Sequence, residues 1–174
     1  DHVHEVGFGA DLVSLAYKEL LVSNPDKSYI ATTCPSIVAY VEKYYPELVP
    51  HLAPIVSPMI ATARVLRKLY SNKAKLVFIG PCVAKKGEKE KKGYDGEIDE
   101  VMTFVELRDL FDSLGIDRYN CGEAEFDEPS ASKGALYAVS RGLLQSADIK
   151  EDLVAGNVVV ADGRVNFVDA IKEF

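Results

Sequence analysis

The chain has no C-x-x-C pair, no glycine-rich phosphate loop, no excess of basic residues and no long apolar run. Each absence removes a class of function. Cysteines that are not paired at short spacing argue against a structural zinc site. A sequence without a Gly-rich loop lacks the backbone cradle that holds phosphates. Lys and Arg total 20 against 27 Asp and Glu, a formal charge of −7, which argues against a nucleic-acid binder, since that would need a basic face. No stretch approaches the roughly 20 apolar residues of a spanning helix, and the first residues carry no signal-peptide pattern. The expectation is a cytoplasmic protein that binds neither nucleic acid nor membrane. Only 3 cysteines are present, too few and too odd in number for a disulfide framework. In a reducing setting such cysteines lean towards metal or redox duty, or are simply packed as small apolar residues.

What is present is a chain of 174 residues, 48% hydrophobic and 27% charged, enough for one ordinary domain or two small lobes. Helical spacing predicts a first helix from Asp11 with Leu12, Leu15, Ala16 and Leu20 on its core face. A second follows Pro35, with Ile37, Val38, Val41 and Tyr45 as its stripe. A third opens at Ser57-Pro58 with Met59, Ala63, Leu66 and Tyr70. Thr103 and Glu106 form a capping box for another, with Leu107, Leu110, Phe111 and Leu114 inward and Gly115 as its stop. A helix is expected over 133–146, and a terminal one capped by Asn166. Short apolar runs at 28–32, 75–79 and 158–160 read as buried strands, with a shorter one at 99–102. Residues 46–58 read as an ordered loop, 85–97 as an exposed polar excursion, and Asp162-Gly163 as a turn. Strands alternating with helices predict an α/β fold of mostly parallel sheets flanked by helices. The first residue is not Met, and the last eight read as a helix still in progress, so the chain is expected to be a piece of a longer protein.

Two cysteines stand in matching settings. Cys34 follows the run at 28–32 in Thr32-Thr33-Cys34-Pro35-Ser36, and Cys82 follows the run at 75–79 in Gly80-Pro81-Cys82-Val83-Ala84-Lys85-Lys86. The carboxyl end of a strand in an open sheet is where ligands gather. Cys34 precedes a helix, whose positive end favours the thiolate that iron or zinc requires. Cys82 has Lys85 and Lys86 behind it; an ammonium there favours thiolate too, or holds an anionic group bound to a metal. Cys121 lies in an irregular stretch without a motif and reads as a packed or solvated cysteine. His2 and His4 at the start are weak candidates for metal binding, and His51 in the proline-rich loop reads as structural.

These motifs resemble the catalytic-domain signature of iron-only (di-iron) hydrogenases. The family's T-S-C-C-P-x-W is similar to Thr32-Thr33-Cys34-Pro35-Ser36-Ile37, and the helix after it to Tyr40-Val41-Glu42-Lys43-Tyr44-Tyr45-Pro46-Glu47-Leu48. A Ser-Pro element matches Ser57-Pro58, and M-P-C-x-x-K matches Gly80-Pro81-Cys82-Val83-Ala84-Lys85. The resemblance implies iron-hydrogenase-like lobes and a 4Fe–4S cubane joined to a di-iron unit. It implies Cys34 and Cys82 as two cubane ligands, and Lys85 and Ser57 as residues that contact the cofactor. The family's third motif, E-x-x-x-C-x-x-C, is absent, so residues 1–174 are expected to be a fragment that ends before it and holds no complete cluster. Departures from the pattern matter as well. The proton-shuttle cysteine is Thr33, a hydroxyl far less acidic than a thiol. The motif methionine is Gly80, the aromatic is Ile37, and the Ser-Pro element continues as Met59-Ile60. The resemblance with these departures implies a 4Fe–4S protein used for redox sensing or electron transfer, without efficient hydrogen turnover. Its partners would be ferredoxin-like, PAS or phosphatase modules of a parent chain in anaerobic bacteria. The alternatives are a divergent hydrogenase that reduces protons slowly, and a metal-free interaction domain.

Overall fold

In the computed structural model, residues 1–71, 73–117, 119–150, 158–161 and 163–174 are described. The chain runs α1 (Val6–Ser23), α2 (Pro35–Tyr44), a 3-10 turn (Pro46–His51) and α3 (Pro58–Tyr70). It continues with β1 (Val77–Gly80), α4 (Ala84–Lys89), β2 (Glu100–Thr103) and α5 (Phe104–Ser113). A second 3-10 segment (Lys133–Ala138), α6 (Gly142–Ser146) and α7 (Gly163–Glu173) complete it.

The fold is mostly helical, which corrects the sheet-dominated α/β architecture predicted from the apolar runs. Among the described residues the sheet has two strands, β1 and β2, parallel and in register from Val77 beside Glu100 to Gly80 beside Thr103. A strand exists only where its backbone groups find a ladder, and hydrophobicity does not supply one. The run at 28–32 meets loop residues instead: the Ile30 amide donates to the His51 carbonyl and the Ala53 amide to the Ile30 carbonyl, a single bridge. Residues 158–160 form no strand. Even β1 is only half covered, with Val77 and Ile79 exposed.

Three small apolar clusters take the place of one sheet core. Met59, Ile60, Ala63, Ile98 and Val101 pack with Phe78 and Tyr94. Val13, Tyr17 and Ala53 pack with Tyr29, Tyr137 and Leu143. Ile30, Val41 and Ile171 pack with Ile37, Tyr40 and Leu48. The helix α1 starts at Val6, earlier than Asp11, and turns Ala10, Val13, Ser14 and Tyr17 inward while Leu12 and Leu15 stay exposed. Asp11 does not cap α1. Its carboxylate accepts the amides of Ser132 and Gly134 and so pins the second 3-10 segment. Gly9 lets α1 lie directly on α3, since a Cβ there would run into the Thr62 hydroxyl and the Pro58 carbonyl.

The helix expected over 133–146 is broken where Arg141 takes a left-handed backbone conformation, φ 61°. The terminal helix begins at Gly163, so Asn166 lies inside it, and Asp162 of the expected turn is outside the described residues. On α5, Leu110 and Leu114 are exposed, whereas the sequence pattern turned them inward. The capping box is as expected: Thr103 Oγ1 accepts the Glu106 amide, and the Glu106 carboxylate accepts the Thr103 amide. Gly115 closes α5 at φ 66°.

Candidate metal centre

Cys34 is the residue immediately before α2, exposed, with an extended backbone and Pro35 in the first turn. Cys82 lies between β1 and α4 and is half-buried; its carbonyl accepts the Lys85 amide in the turn that starts α4. Neither thiol is in a disulfide. Helices α2 and α4 pack against each other, and between them runs a cleft of about 700 Å³. Pro35, Ser36, Val38, Ala39 and Glu42 form one wall, and Ala84, Gly87, Glu88 and Lys91 the other. Cys34 directly precedes the α2 wall and Cys82 lies two residues before Ala84 of the α4 wall, and neither cysteine is among the residues that line the cleft. Lys91 Nζ pairs with Glu42 Oε1 across it. Cys121 is exposed and its sulfhydryl reaches the Asp117 carbonyl at 3.5 Å, a local contact. Among the described residues no group of three or more His, Cys, Asp and Glu side chains is placed to hold a metal ion.

Ser57 precedes α3 and is 1% exposed, and its hydroxyl oxygen has no hydrogen-bond partner. A buried hydroxyl left unpaired costs roughly 1–3 kcal/mol, and a polar group brought against Ser57 would relieve that cost. Lys85 departs from the exposed excursion read in the sequence. Its side chain is 12% exposed and its ammonium donates to Glu88 Oε2 at 2.7 Å; the Glu88 side chain is 6% exposed. Sequence reading missed Glu88. The only available signal was its position three residues after Lys85, which puts both on one helix face.

The backbone before Cys34 is held by hydroxyls. The Thr32 amide donates to the Tyr17 hydroxyl at 2.8 Å, and the Thr32 hydroxyl donates to the Ile55 carbonyl at 2.6 Å. With the Thr32 proton committed there, the Tyr17 hydroxyl is the donor in its 3.1 Å bond to Thr32 Oγ1. Burial pushes the Tyr17 phenol up, partly offset by these bonds. Tyr137 is raised further, by burial and then by the neighbouring Tyr17, with Thr33 pulling weakly the other way. The Tyr137 hydroxyl has no bond of good geometry. Thr33 therefore sits half-buried beside a phenol that holds its proton firmly.

Comparison with known proteins places these features in context. Residues 1–169 match the family described as iron-only hydrogenase large subunit, C-terminal domain. The cytosolic Fe–S cluster assembly factor of Kluyveromyces lactis is 33% identical over 88 residues, 51% of this chain and 19% of the relative. The periplasmic Fe hydrogenase large subunit of Nitratidesulfovibrio vulgaris is 28% identical over 128 residues, 66% of this chain and 30% of that protein. A solved structure of an FeFe-hydrogenase variant from Chlamydomonas reinhardtii superposes with a TM-score of 0.72 at 26% identity, covering 84% of this chain and 42% of the other. The chain thus spans less than a third of the length of these two curated relatives.

Proposed function

Because the chain belongs to the family of C-terminal domains of the iron-only hydrogenase large subunit, we propose that it supplies Cys34 and Cys82 to a 4Fe–4S cluster used for redox sensing or electron transfer, without efficient hydrogen turnover. The observation that supports this reading is placement: the two cysteine turns immediately precede α2 and α4, and those helices pack on each other. The free thiols and the unpaired Ser57 hydroxyl fit a bound inorganic group. A cubane takes four thiolates; two come from here, and the proposal assigns the other two to a further segment of a parent chain. When bound, the cluster supplies one-electron chemistry. The residues of this chain would hold it through Cys34 and Cys82 and offer the Ser57 hydroxyl as a hydrogen-bond donor.

Weak proton delivery follows from Thr33. A hydroxyl of high pKa transfers protons poorly near neutral pH, and its phenolic neighbour Tyr137 is pushed further up. Relatives named as a hydrogenase and as a cluster assembly factor occur side by side, so family membership is compatible with a non-catalytic role. We place the protein in the cytosol with ferredoxin-like, PAS or phosphatase modules as the other parts of its chain. Among the described residues no helix is long and apolar enough to cross a membrane.

The test is anaerobic reconstitution of the parent chain, with iron and sulfide counted per chain, and hydrogen evolution from a matured sample supplied with the di-iron unit, assayed before and after Thr33→Cys. The expected result is a cubane signal with little hydrogen production, rising in the variant. A parent chain that binds no iron, or one that already matches the variant's rate, defeats the proposal.

A further inference from the structure

Among the described residues, two buried side-chain polar atoms have no hydrogen-bond partner: Ser57 Oγ and Tyr137 Oη. Ser57 belongs to the candidate centre itself. Tyr137 stands on the second 3-10 segment, which is fixed to α1. The Asp11 carboxylate accepts the Ser132 and Gly134 amides, and a Cβ at Gly134 would run into the Gly7 carbonyl and the Asp11 amide. The segment therefore lies tight on α1, and the Tyr137 ring is held against the apolar cluster of Val13, Tyr17 and Ala53, to which Ile55 and Leu143 also belong. The Tyr17 hydroxyl in that cluster is already engaged: it accepts the Thr32 amide and donates to Thr32 Oγ1. Thr33, the residue before Cys34, is near enough to act on the Tyr137 phenol but makes no bond of good geometry with it. A phenylalanine would pack the same ring and avoid the roughly 1–3 kcal/mol that an unpaired buried hydroxyl costs. The extra oxygen of Tyr137 is thus a free donor beside the residue that precedes a proposed ligand.

We infer that Tyr137 is the hydrogen-bond donor to an anionic sulfur on the Cys34 side of the cluster, the Cys34 thiolate or a sulfide of the inorganic core. This rests on the proposed function and deepens it, because it gives the centre a residue that tunes its potential and that no motif position picks out. Hydrogen bonds to the sulfurs help set the potential of an iron–sulfur cluster. A donor stabilises the more negative, reduced cluster more than the oxidised one and so raises the potential. The bond is strong in a site from which water is excluded. Burial holds the proton on the phenol, so the group remains a donor at neutral pH.

The experiment compares the reconstituted parent chain with its Tyr137→Phe variant, which keeps the ring and removes the donor. Midpoint potentials are read by redox titration of the cluster signal. Exchangeable protons near the reduced cluster are read by electron–nuclear double resonance, before and after transfer to deuterated buffer. Tyr137→Phe is expected to move the potential negative and to remove an exchangeable proton coupling. Rebuilding the core with selenide separates the two acceptors: the coupling changes when the donor meets a core sulfide and stays when it meets the Cys34 thiolate. An iron-loaded chain whose potential and coupling ignore Tyr137→Phe overturns the inference and leaves the proposed function standing. A second readout needs no cluster. In the metal-free parent chain, Tyr137→Phe should leave the denaturant midpoint unchanged or raise it, because the variant loses an unpaired hydroxyl. A lower midpoint means that the hydroxyl is already paired within the protein and overturns the inference. A parent chain that takes up no iron defeats the proposed function and this inference with it.

Discussion

The two cysteine-bearing segments look alike in sequence and are built differently. Cys34 is reached through a backbone fastened by hydroxyls: Tyr17, Thr32 and the carbonyl of Ile55 hold residues 30–34 in place of a sheet. Cys82 is reached through a true strand, β1, whose partner β2 is surrounded by ionised groups. Asp99, at the start of that partner, accepts from Lys75, Arg67 and the Leu76 amide. Neutral hydrogen bonds respond little to pH, whereas carboxylates held by cations respond strongly. One candidate centre is therefore carried by two supports with different weaknesses, and each support can be tested separately.

The largest expected effect comes from Thr32→Val. The change removes the donor to Ile55 and the acceptor for Tyr17 while preserving shape, and it leaves buried polar groups unpaired. The cost should be roughly 1–3 kcal/mol, seen as a lower denaturant midpoint. Hydrogen exchange should rise around 30–34 and stay unchanged at β1. Equal loosening of both segments would break the comparison.

Acid should act in the opposite place. Asp99 is held well below its ordinary value of 3.8, first by Lys75 and then by the Leu76 amide. Lys86 and the Thr103 amide bring Glu106 from 4.5 to about 2. Glu100 is lowered by the Val101 amide and Lys89. A carboxylate depressed in the folded state contributes stability that is complete above its unfolded pKa and is lost as pH falls through the folded one. Between about pH 4.5 and 2, exchange is expected to rise first in β1, β2 and α5, with residues 30–34 following later. The reverse order would show that the carboxylates do not govern the Cys82 side. Most of these groups are open to solvent, so high salt should weaken the effect.

The smallest effect is in thiol reactivity. Cys34 is exposed and Cys82 half-buried. In the metal-free chain at neutral pH, Cys34 should react with an alkylating reagent several-fold faster than Cys82, as followed by peptide mass spectrometry. Equal rates would mean that burial does not separate the two.

Legibility from sequence divided along the same line. The capping box at Thr103 and Glu106, the Gly115 stop and the helix after Pro35 were all readable, because each depends on residues within a turn of one another. The inward residues of α1 were misread, since Leu12 and Leu15 fit a helical stripe as well as Val13 and Tyr17 do, and α3 decides between them through Gly9. The strand at 28–32 failed because its apolar residues find a loop rather than a ladder. At the candidate centre, Cys34, Cys82, Ser57, Thr33 and Lys85 were all visible as motif positions. Glu88 and Tyr137 were not, because a carboxylate among lysines and a tyrosine in an irregular stretch carry no pattern until packing shields them.

The amino-acid order by itself determined the family, the two cysteine turns and the capping box of α5, all of which arise from covalent neighbours and short-range hydrogen bonds. Tertiary structure decided the rest: that the fold is mostly helical with a two-stranded sheet among the described residues, that α2 and α4 line one cleft, and that Lys85 is paired with Glu88. The reason is physical. Strand pairing, burial and charge compensation depend on which distant groups share a space from which water is excluded, and that is set only when α1, α2, α3 and α4 have packed.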